Sequence, residues 1–240
     1  MPTFRHGKTT AVLLNGTNMS PFLNEATTTT EIETAETTTF GDQDKTYIVG
    51  LSDGTISTSG LFDSTAGASN DVLTGLIATE DNTFTVMPSG VAAGNPAVIA
   101  NGQMTSYEVS SPVGDVISIS AEVQADGGLL HGVALTGLVN TGSASATTTG
   151  INNGSSTTNG GLFNLHVTAN SRDGAATVKV QHSSDDITYA DLVTFTSVSA
   201  SVTVGESITS TGTVNEYLRT LSTLAGSSGS VTYNISAARR

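Results

Sequence analysis

The chain has 240 residues, with 21 acidic against eight basic side chains, a net charge of −13, and neither cysteine nor tryptophan. Charged residues supply only 12% of it, about half the usual share, and 26 glycines with many serines and threonines fill the gap. That balance excludes a basic face for gripping phosphates, disulfides and thiolate metal sites, and the highly charged composition of a disordered chain.

An acidic surface still lets DNA slide past without sticking, because like charges repel. The N-terminus, MPTFRHGKTTAVLL, has basic residues but no apolar core of signal-peptide length. No run approaches the roughly 18 apolar residues of a membrane span. The expectation is a soluble protein held in the cytosol until it assembles.

Residues 9–14 read as a short apolar strand closed by Asn15-Gly16, a favoured turn pair. Residues 18–24 hold Pro21, Phe22 and Leu23 and form a half-buried connector. The arm 25–39 is dense in threonine, lacks Gly and Pro, and carries Glu25, Glu31, Glu33 and Glu36. It is either a two-faced polar strand of weak register or a solvated loop. The chain is organised around residues 30–63. Tyr47, Val49 and Leu51 alternate there with Ile48 and Gly50, and Ile56, Thr58, Gly60 and Phe62 alternate with Thr55, Ser57, Ser59 and Leu61. Strands 45–51 and 54–62, joined by a Ser52-Asp53-Gly54 turn, are the expected hairpin.

The spacing of Val72, Leu73, Leu76 and Ile77 predicts a helix over 70–79, capped by Asn70 or Asp71. Gly75 weakens it by roughly 1 kcal/mol, so it must lean on a sheet. Residues 82–88 form a strand with Phe84 and Val86 inward, 90–97 a connection, and 98–109 and 115–124 further strands. In the last of these Val116, Ser118, Ser120 and Glu122 alternate with Ile117, Ile119, Ala121 and Val123, and Asp126-Gly127-Gly128 then turns the chain into 129–138.

Composition shifts at VNTGSASATTTGINNGSSTTNGG, a flexible linker or a long exposed loop. Beyond it, strands 162–169 and 176–182 flank an Arg172-Asp173-Gly174 turn, and 191–199, 202–210, 216–223 and 230–237 come after. Short strands at this spacing suggest a sandwich or barrel. The expected organisation is a first β domain over 1–138, a linker or loop over 139–160, and a second β block over 161–240. That block is either a separate module or the completion of the first sheet.

No constellation carries chemistry. Gly7-Lys8-Thr9 echoes the end of a phosphate-binding loop, but the motif's first glycine would fall on Pro2 with no strand before it. His6, His131, His166 and His182 are scattered, and His166 on its strand reads as a structural side chain. Asp42 and Asp44, and Asp185-Asp186, offer fewer than the six oxygens calcium prefers and read as solvated turns. Nothing pairs a nucleophile with a base and an orienting group. No catalytic, cofactor-binding or metal-ligating residue is assigned.

The opening FRHGKTTAVLLNGTNMSPFLNEA, the arm, and then TAETTTFGDQDKTYIVGLSDGTISTSGLFD resemble the N-terminal half of major tail (tail tube) proteins of long-tailed bacteriophages. Shared elements are the basic-glycine start at Arg5 to Lys8, the segment Glu36-Thr37-Thr38-Thr39-Phe40-Gly41, and the 45–62 hairpin with Gly50-Leu51 and Asp53-Gly54. The stretches VKVQHSSDDITYADLVTFTSVSA, YLRTLSTLAG and GSVTYNISAARR are similar to β modules recurring in phage structural proteins.

The resemblance implies a mainly β fold, a β-sandwich or barrel with one flanking helix at about 70–79, plus a C-terminal β-sandwich-like block. It implies a virion structural protein rather than an enzyme: hexameric rings lined by inner strands, stacked into a tube that conducts DNA during ejection. Its partners are then copies of itself, other tail proteins, and DNA passing without tight binding, with no membrane and no cofactor. It would be made in the host cytoplasm and end in the virion tail. Thr27, Thr29, Glu31, Glu33, Glu36, Phe40 and Tyr47 are the expected assembly residues, with 27–40 ordering against a neighbouring subunit or ring. A capsid decoration or head-fibre protein is the alternative, and a carbohydrate-binding module, short of aromatic platforms here, is the third.

Overall fold

Asn15 and Gly16, with φ of 42° and 83°, fold β1 (Ala11–Leu14) straight back onto β2 (Thr17–Asn18), so that Leu14 faces Thr17. A two-residue turn with both φ positive matches the twist of its strands, which makes Asn-Gly the residue pair for it. The computed structural model describes residues 4–140, 145–152 and 154–240.

The Thr-rich arm is a strand. β3 (Leu23–Glu36) pairs with β4 (Tyr47–Leu61) from Leu23 opposite Gly60 to Glu36 opposite Tyr47. The hairpin expected at 45–62 is therefore absent, and Ser52-Asp53-Gly54 runs straight through β4 opposite Thr30, Glu31 and Ile32. Gly54 is there for close approach: a Cβ on it would overlap Leu129. Asp53 accepts from the Gly54 N–H and the Gln124 amide, so both turn residues hold strand to strand. The reversal lies at 37–46 instead, where Asp42 accepts from the Thr39 N–H and hydroxyl at 2.7 and 3.1 Å. The arm is already ordered within one chain by this pairing, so its order does not wait for a neighbour.

The helix α1 is short, Ser69–Gly75, rather than 70–79. Its first residue ties it down: Ser69 Oγ accepts from the Asp63 N–H and donates to the Leu61 carbonyl. Neither Asn70 nor Asp71 is the cap. Ala68 holds that position without a side-chain bond, and Asp71 accepts from the Gly67 N–H. Leu73 and Leu76 are buried, while Ile77 lies past the end and is exposed.

β5 (Asn82–Met87) is buried along its whole length, and β6 (Pro96–Ser110) and β7 (Ser118–Ala134) form a long hairpin. The turn expected at Asp126-Gly127-Gly128 is a bulge instead. Both glycines have positive φ (75° and 78°), and the β6–β7 register shifts nearby, between Ile99 and Asn101.

Within 139–160, β8 (Val139–Asn140), β9 (Ala146–Thr147) and β10 (Ile151–Asn152) are two-residue strands on neighbouring elements. The second block continues as β11 (Gly161–Asn170), β12 (Ala176–Ser183), β13 (Ala190–Thr194), β14 (Val204–Ser210), β15 (Tyr217–Leu224) and β16 (Val231–Arg239). The 171–175 link joins strands of different sheets, and buried Arg172 clamps it by donating to the Gly229 and Ala225 carbonyls.

The larger sheet runs β14–β11–β16–β7–β6–β5–β1–β2, with β4 and then β3 branching from β7. The smaller runs β10–β15–β12–β13. Every ladder is antiparallel and no barrel closes, so the fold is mainly β and sandwich-like, with one α-helix among the described residues. No helix among them is long and apolar enough to cross a membrane.

One core packs Val12, Ile56, Phe84 and Val123 under Leu73 and Leu76, and another packs Phe163, Val180, Phe195 and Ile235 between the two sheets. A third cluster joins them, with Leu13, Met87 and Ile99 from the first block against Leu162 and Ala238 from the second.

A buried polar seam lies beside that third cluster. Asn164 donates to the Phe84 and Ala100 carbonyls at 2.9 and 3.1 Å, and Ser207 bridges Asn164 and Thr83 at 3.0 Å each. Fully buried His166 accepts the Gly16 N–H on Nδ1, which leaves Nε2–H to donate to Thr85 Oγ1 at 2.9 Å. Burial pushes the imidazole down to about 3 from its ordinary 6.5.

The unfolded chain takes up a proton at His166 below pH 6.5, whereas the folded chain resists down to about 3. Stability is therefore lost as pH falls through that window and is untouched by His166 above it. At about 1.4 kcal/mol per pH unit, His166 accounts for a loss of about 2 kcal/mol between pH 6.5 and 5. Urea unfolding at pH 7 and 5 should show the gap between wild type and His166→Gln narrowing in acid by that amount; parallel losses would refute it. At Gly132, a Cβ would overlap the Ala237 carbonyl where β7 meets β16. Gly132→Ala should cost about 1–3 kcal/mol in the same assay, and an unchanged midpoint would contradict that close approach.

Candidate assembly surface

Strands β3, β4, β7 and β6 lie side by side, and period-2 alternation puts every second residue of each on one open face. Three cross-strand rows result. Glu25, Ser59, Ser120 and Glu108 form the first, Thr27, Ser57, Glu122 and Ser106 the second, and Thr29, Thr55, Gln124 and Gln103 the third. All twelve are exposed or half-exposed. The rows contain hydroxyls, amides and three carboxylates, with no cation and no apolar side chain. The opposite face of the same strands supplies Ile56, Ile119, Ala121 and Val123 to the core.

The patch ends in two free edges. Among the described residues β3 pairs only with β4, and β6 pairs with β5 only from Val98 to Gly102, leaving 103–110 open on that side. Within the patch β3 and β6 run in opposite directions, since three antiparallel pairings separate them.

Past the patch, β3 and β4 continue as a two-stranded ribbon with no third strand. Val49 is 76% and Leu51 78% exposed, and Ile32, Phe40, Tyr47 and Ile48 are exposed too. A lone hairpin is marginal in water, so this ribbon suits a partner. Lys45 bridges Glu36 at 3.0 Å across it, an exposed pair that contributes little.

The structure brings all seven sequence-predicted assembly residues onto this one hairpin. Thr27 and Thr29 stand in the rows. Glu31 and Glu33 continue the same alternation along β3, Glu36 faces Tyr47 on the ribbon, and Phe40 stands in the turn. Sequence reasoning missed Ser57, Ser59, Ser106, Glu108, Ser120 and Glu122 as members of the site. The Ser118, Ser120, Glu122 alternation was a signal, but which strand it faced was not.

The histidines are dispersed: His6 accepts the Lys8 N–H, His182 accepts the Asn215 N–H, and His131 lies 3.5 Å from Thr30 Oγ1. Asp185 is engaged by Ser183 and by the Ile187 and Thr188 N–H groups, which hold its carboxyl down to about 2. Among the described residues no group of three or more His, Asp or Glu is placed to hold a metal.

No protein-family model matches the chain, and no curated protein matches it. Among solved structures it is similar to a chain in the virion of a native gene transfer agent particle, at 18% identity and a TM-score of 0.44, over 52% of this chain and 97% of that one. It is also similar to a chain in the tail of an empty gene transfer agent particle with C6 symmetry, at 18% and 0.37, over 45% and 80%. The third is the SPP1 Dit (gp 19.1) protein, a hub adsorption apparatus protein of phages infecting Gram-positive hosts, at 16% and 0.35, over 95% and 98%. These are similarities of backbone course alone.

If the face repels DNA, the wild-type protein leaves duplex mobility unchanged at low salt. Reversing its three carboxylates (Glu25→Lys, Glu108→Lys and Glu122→Lys together) should retard DNA at about 50 mM salt and release it by about 200 mM, because the binding is counterion-driven. Retardation by the wild type would contradict the non-adhesive reading.

Proposed function

We propose that the chain is a virion structural protein, a subunit of a phage tail tube. Copies form rings, six-fold as the family resemblance implies, and stacked rings enclose a channel through which DNA passes. The observation that carries this is the polar four-stranded face with a free edge on each side. Rotating a copy about an axis along the strands sets β6 of one copy beside β3 of the next, antiparallel, so the sheet continues from subunit to subunit. Six copies supply about 24 strands, beyond the roughly 16–18 that already leave an aqueous channel in other barrels.

The lining would then be hydroxyls and carboxylates. Short neutral side chains offer phosphates no counter-charge, and the carboxylates repel them. The role is mechanical, and the residues that serve it are backbone edges and small polar side chains rather than a reacting constellation. The blunt end of the subunit is the two-block body, and the exposed ribbon is the part left for contacts with another ring.

Negative-stain microscopy of the purified protein over a concentration series tests this directly. Rings or hollow tubes that grow with concentration are expected, whereas a monomer or trimer at every concentration would overturn it. Glu31 pairs with Asp53, so replacing residues 32–52 by Asn-Gly closes a shortened hairpin on natural register. That variant should keep the wild-type circular dichroism and melt within a few degrees of it, yet fail to form tubes. Removing the whole of β3 is a poorer test, because Leu23 and Ala26 pack against the core.

A further inference from the structure

The residues of the three rows turn their backbone groups away from the free edges. Leu61 donates its N–H to the Phe22 carbonyl, toward β3, and Phe62 donates to the Ile117 carbonyl, toward β7. Odd-numbered residues of β4 therefore bond to β3 and even-numbered ones to β7. Carried across the pairings, the same alternation turns Glu25, Thr27 and Thr29 inward to β4, and Ser106 and Glu108 inward to β7. The outward N–H and C=O groups belong to Ala26, Thr28 and Thr30 on one edge and to Tyr107 and Val109 on the other. When β6 of one copy meets β3 of the next, side-chain face and hydrogen bonds both match only in registers that differ by an even number of residues.

Prolonging the rows unchanged sets Glu108 directly opposite Glu25 of the next copy at every contact, which is unfavourable. It also leaves the strands untilted, whereas strands in a closed sheet tilt by about 35–45°. The tilt follows from the stagger per copy and not from the number of copies. Four strands at about 4.8 Å span about 19 Å, and a stagger of two, four or six residues at about 3.4 Å each tilts them by about 20°, 35° or 47°. Four residues is the stagger that falls in the window. The fixed hand of strand twist puts the neighbouring β3 four residues on, not four back. Four back would also leave 107–110 of β6 past the start of β3 at Leu23.

We infer that the β6–β3 contact between copies is staggered by four residues, with Glu108 opposite Thr29, Ser106 opposite Glu31 and Ser110 opposite Thr27 of the next copy. This rests on the ring reading and names the pairing within it. The first row of one copy runs into the third row of the next, and each carboxylate at the contact faces a hydroxyl. Tyr107 and Val109 bond across to Thr30 and Thr28. Ile32, 57% exposed in the single chain, comes alongside half-buried Met104 on the core side of the sheet.

Cysteine pairs test the register in the full-length, otherwise cysteine-free chain. Glu108 and Thr29 of the next copy form a non-hydrogen-bonded pair about 4.5 Å apart at Cα, within disulfide reach. Inside one chain three strand spacings, about 14 Å, separate β6 from β3, so no internal disulfide competes. Rings of Glu108→Cys/Thr29→Cys should oxidise to a covalent ladder about tenfold faster than rings of Glu108→Cys/Glu25→Cys, which reports an unstaggered contact, or Glu108→Cys/Thr27→Cys, which reports a stagger of two. Rings in which either of those pairs links faster, or in which no pair links, would overturn the stagger and leave the ring proposal standing. Absence of rings from the wild type would overturn both.

If cysteines at the contact prevent assembly, charge reads the same register. Thr29→Glu faces Glu108 with a second carboxylate and Thr29→Lys faces it with a cation, so the first should need about fivefold more protein to form rings than the second. That difference should vanish when both are combined with Glu108→Gln. A difference that persists in the Glu108→Gln background would refute the pairing.

Discussion

Strand β7 pairs with β4, β6 and β16, so the open patch and the second block both depend on it. Its first half, Ser118 to Gln124, sits between β4 and β6; its end, at Val133 and Ala134, sits between β6 and β16. One pair of long strands therefore has to serve two environments on the same face. Where the second block covers it, that face offers Ala97, Ile99, Leu130 and a glycine, Gly132, at the tightest approach. Where it is open, the same strands offer Ser106, Glu108, Ser120 and Glu122. The glycine pair at 127–128, opposite the register shift between Ile99 and Asn101, falls between the two regions and leaves the same residues of each strand facing one side. What changes along that face is the residue type alone: aliphatic where the second block covers it, so that no carboxylate is buried there, and polar where it is open.

Much of this was legible in the residues, and the failures are informative. Asn15-Gly16, β5 with Phe84 and Val86 inward, and the strands of the second block emerge from local pattern, because their partners lie nearby or their alternation is strict. Ser52-Asp53-Gly54 and Asp126-Gly127-Gly128 misled because Asp-Gly serves equally at a reversal, a bulge and a close strand contact. What decides among these is the partner strand, and the partner of 47–61 is the Thr-rich arm, whose β-branched side chains sustain a long ladder. The helix ended early because Gly75 disfavours helix inside the run and the chain then turns through Ala78 and Asp81 at positive φ. The seven predicted assembly residues share one hairpin, since they were chosen along one segment. The other half of the rows needed the β4–β7–β6 register, which no local signal carries.

The edges of the open patch lack the usual protections. Exposed edge strands are normally blunted by Lys, by Pro, or by a cover. From Glu25 to Thr30 β3 has Thr, Ala and Glu, and from Gln103 to Ser110 β6 has neither Lys nor Pro. Hydroxyl side chains add little bulk and lose little rotamer freedom when a strand is added beside them, so ladder pairing is not opposed. The carboxylates on the face point away from the edge hydrogen bonds and leave pairing geometry free while keeping the patch wet. Low charge, abundant Ser and Thr, and scarce aromatics are the composition that such a surface produces over a whole chain.

The seam between the blocks fixes how one sits against the other. An all-apolar contact of Leu13, Met87 and Leu162 would tolerate sliding, because dispersion varies little with register. Directional bonds do not. Asn164 reaches two carbonyls on adjacent strands, Ser207 bridges to Thr83, and His166 fits only as the Nε2–H tautomer between Gly16 and Thr85. Displacing one block by a residue would leave these buried groups unpaired at about 1–3 kcal/mol each. The seam thus fixes the second block against the sheet that carries the open face.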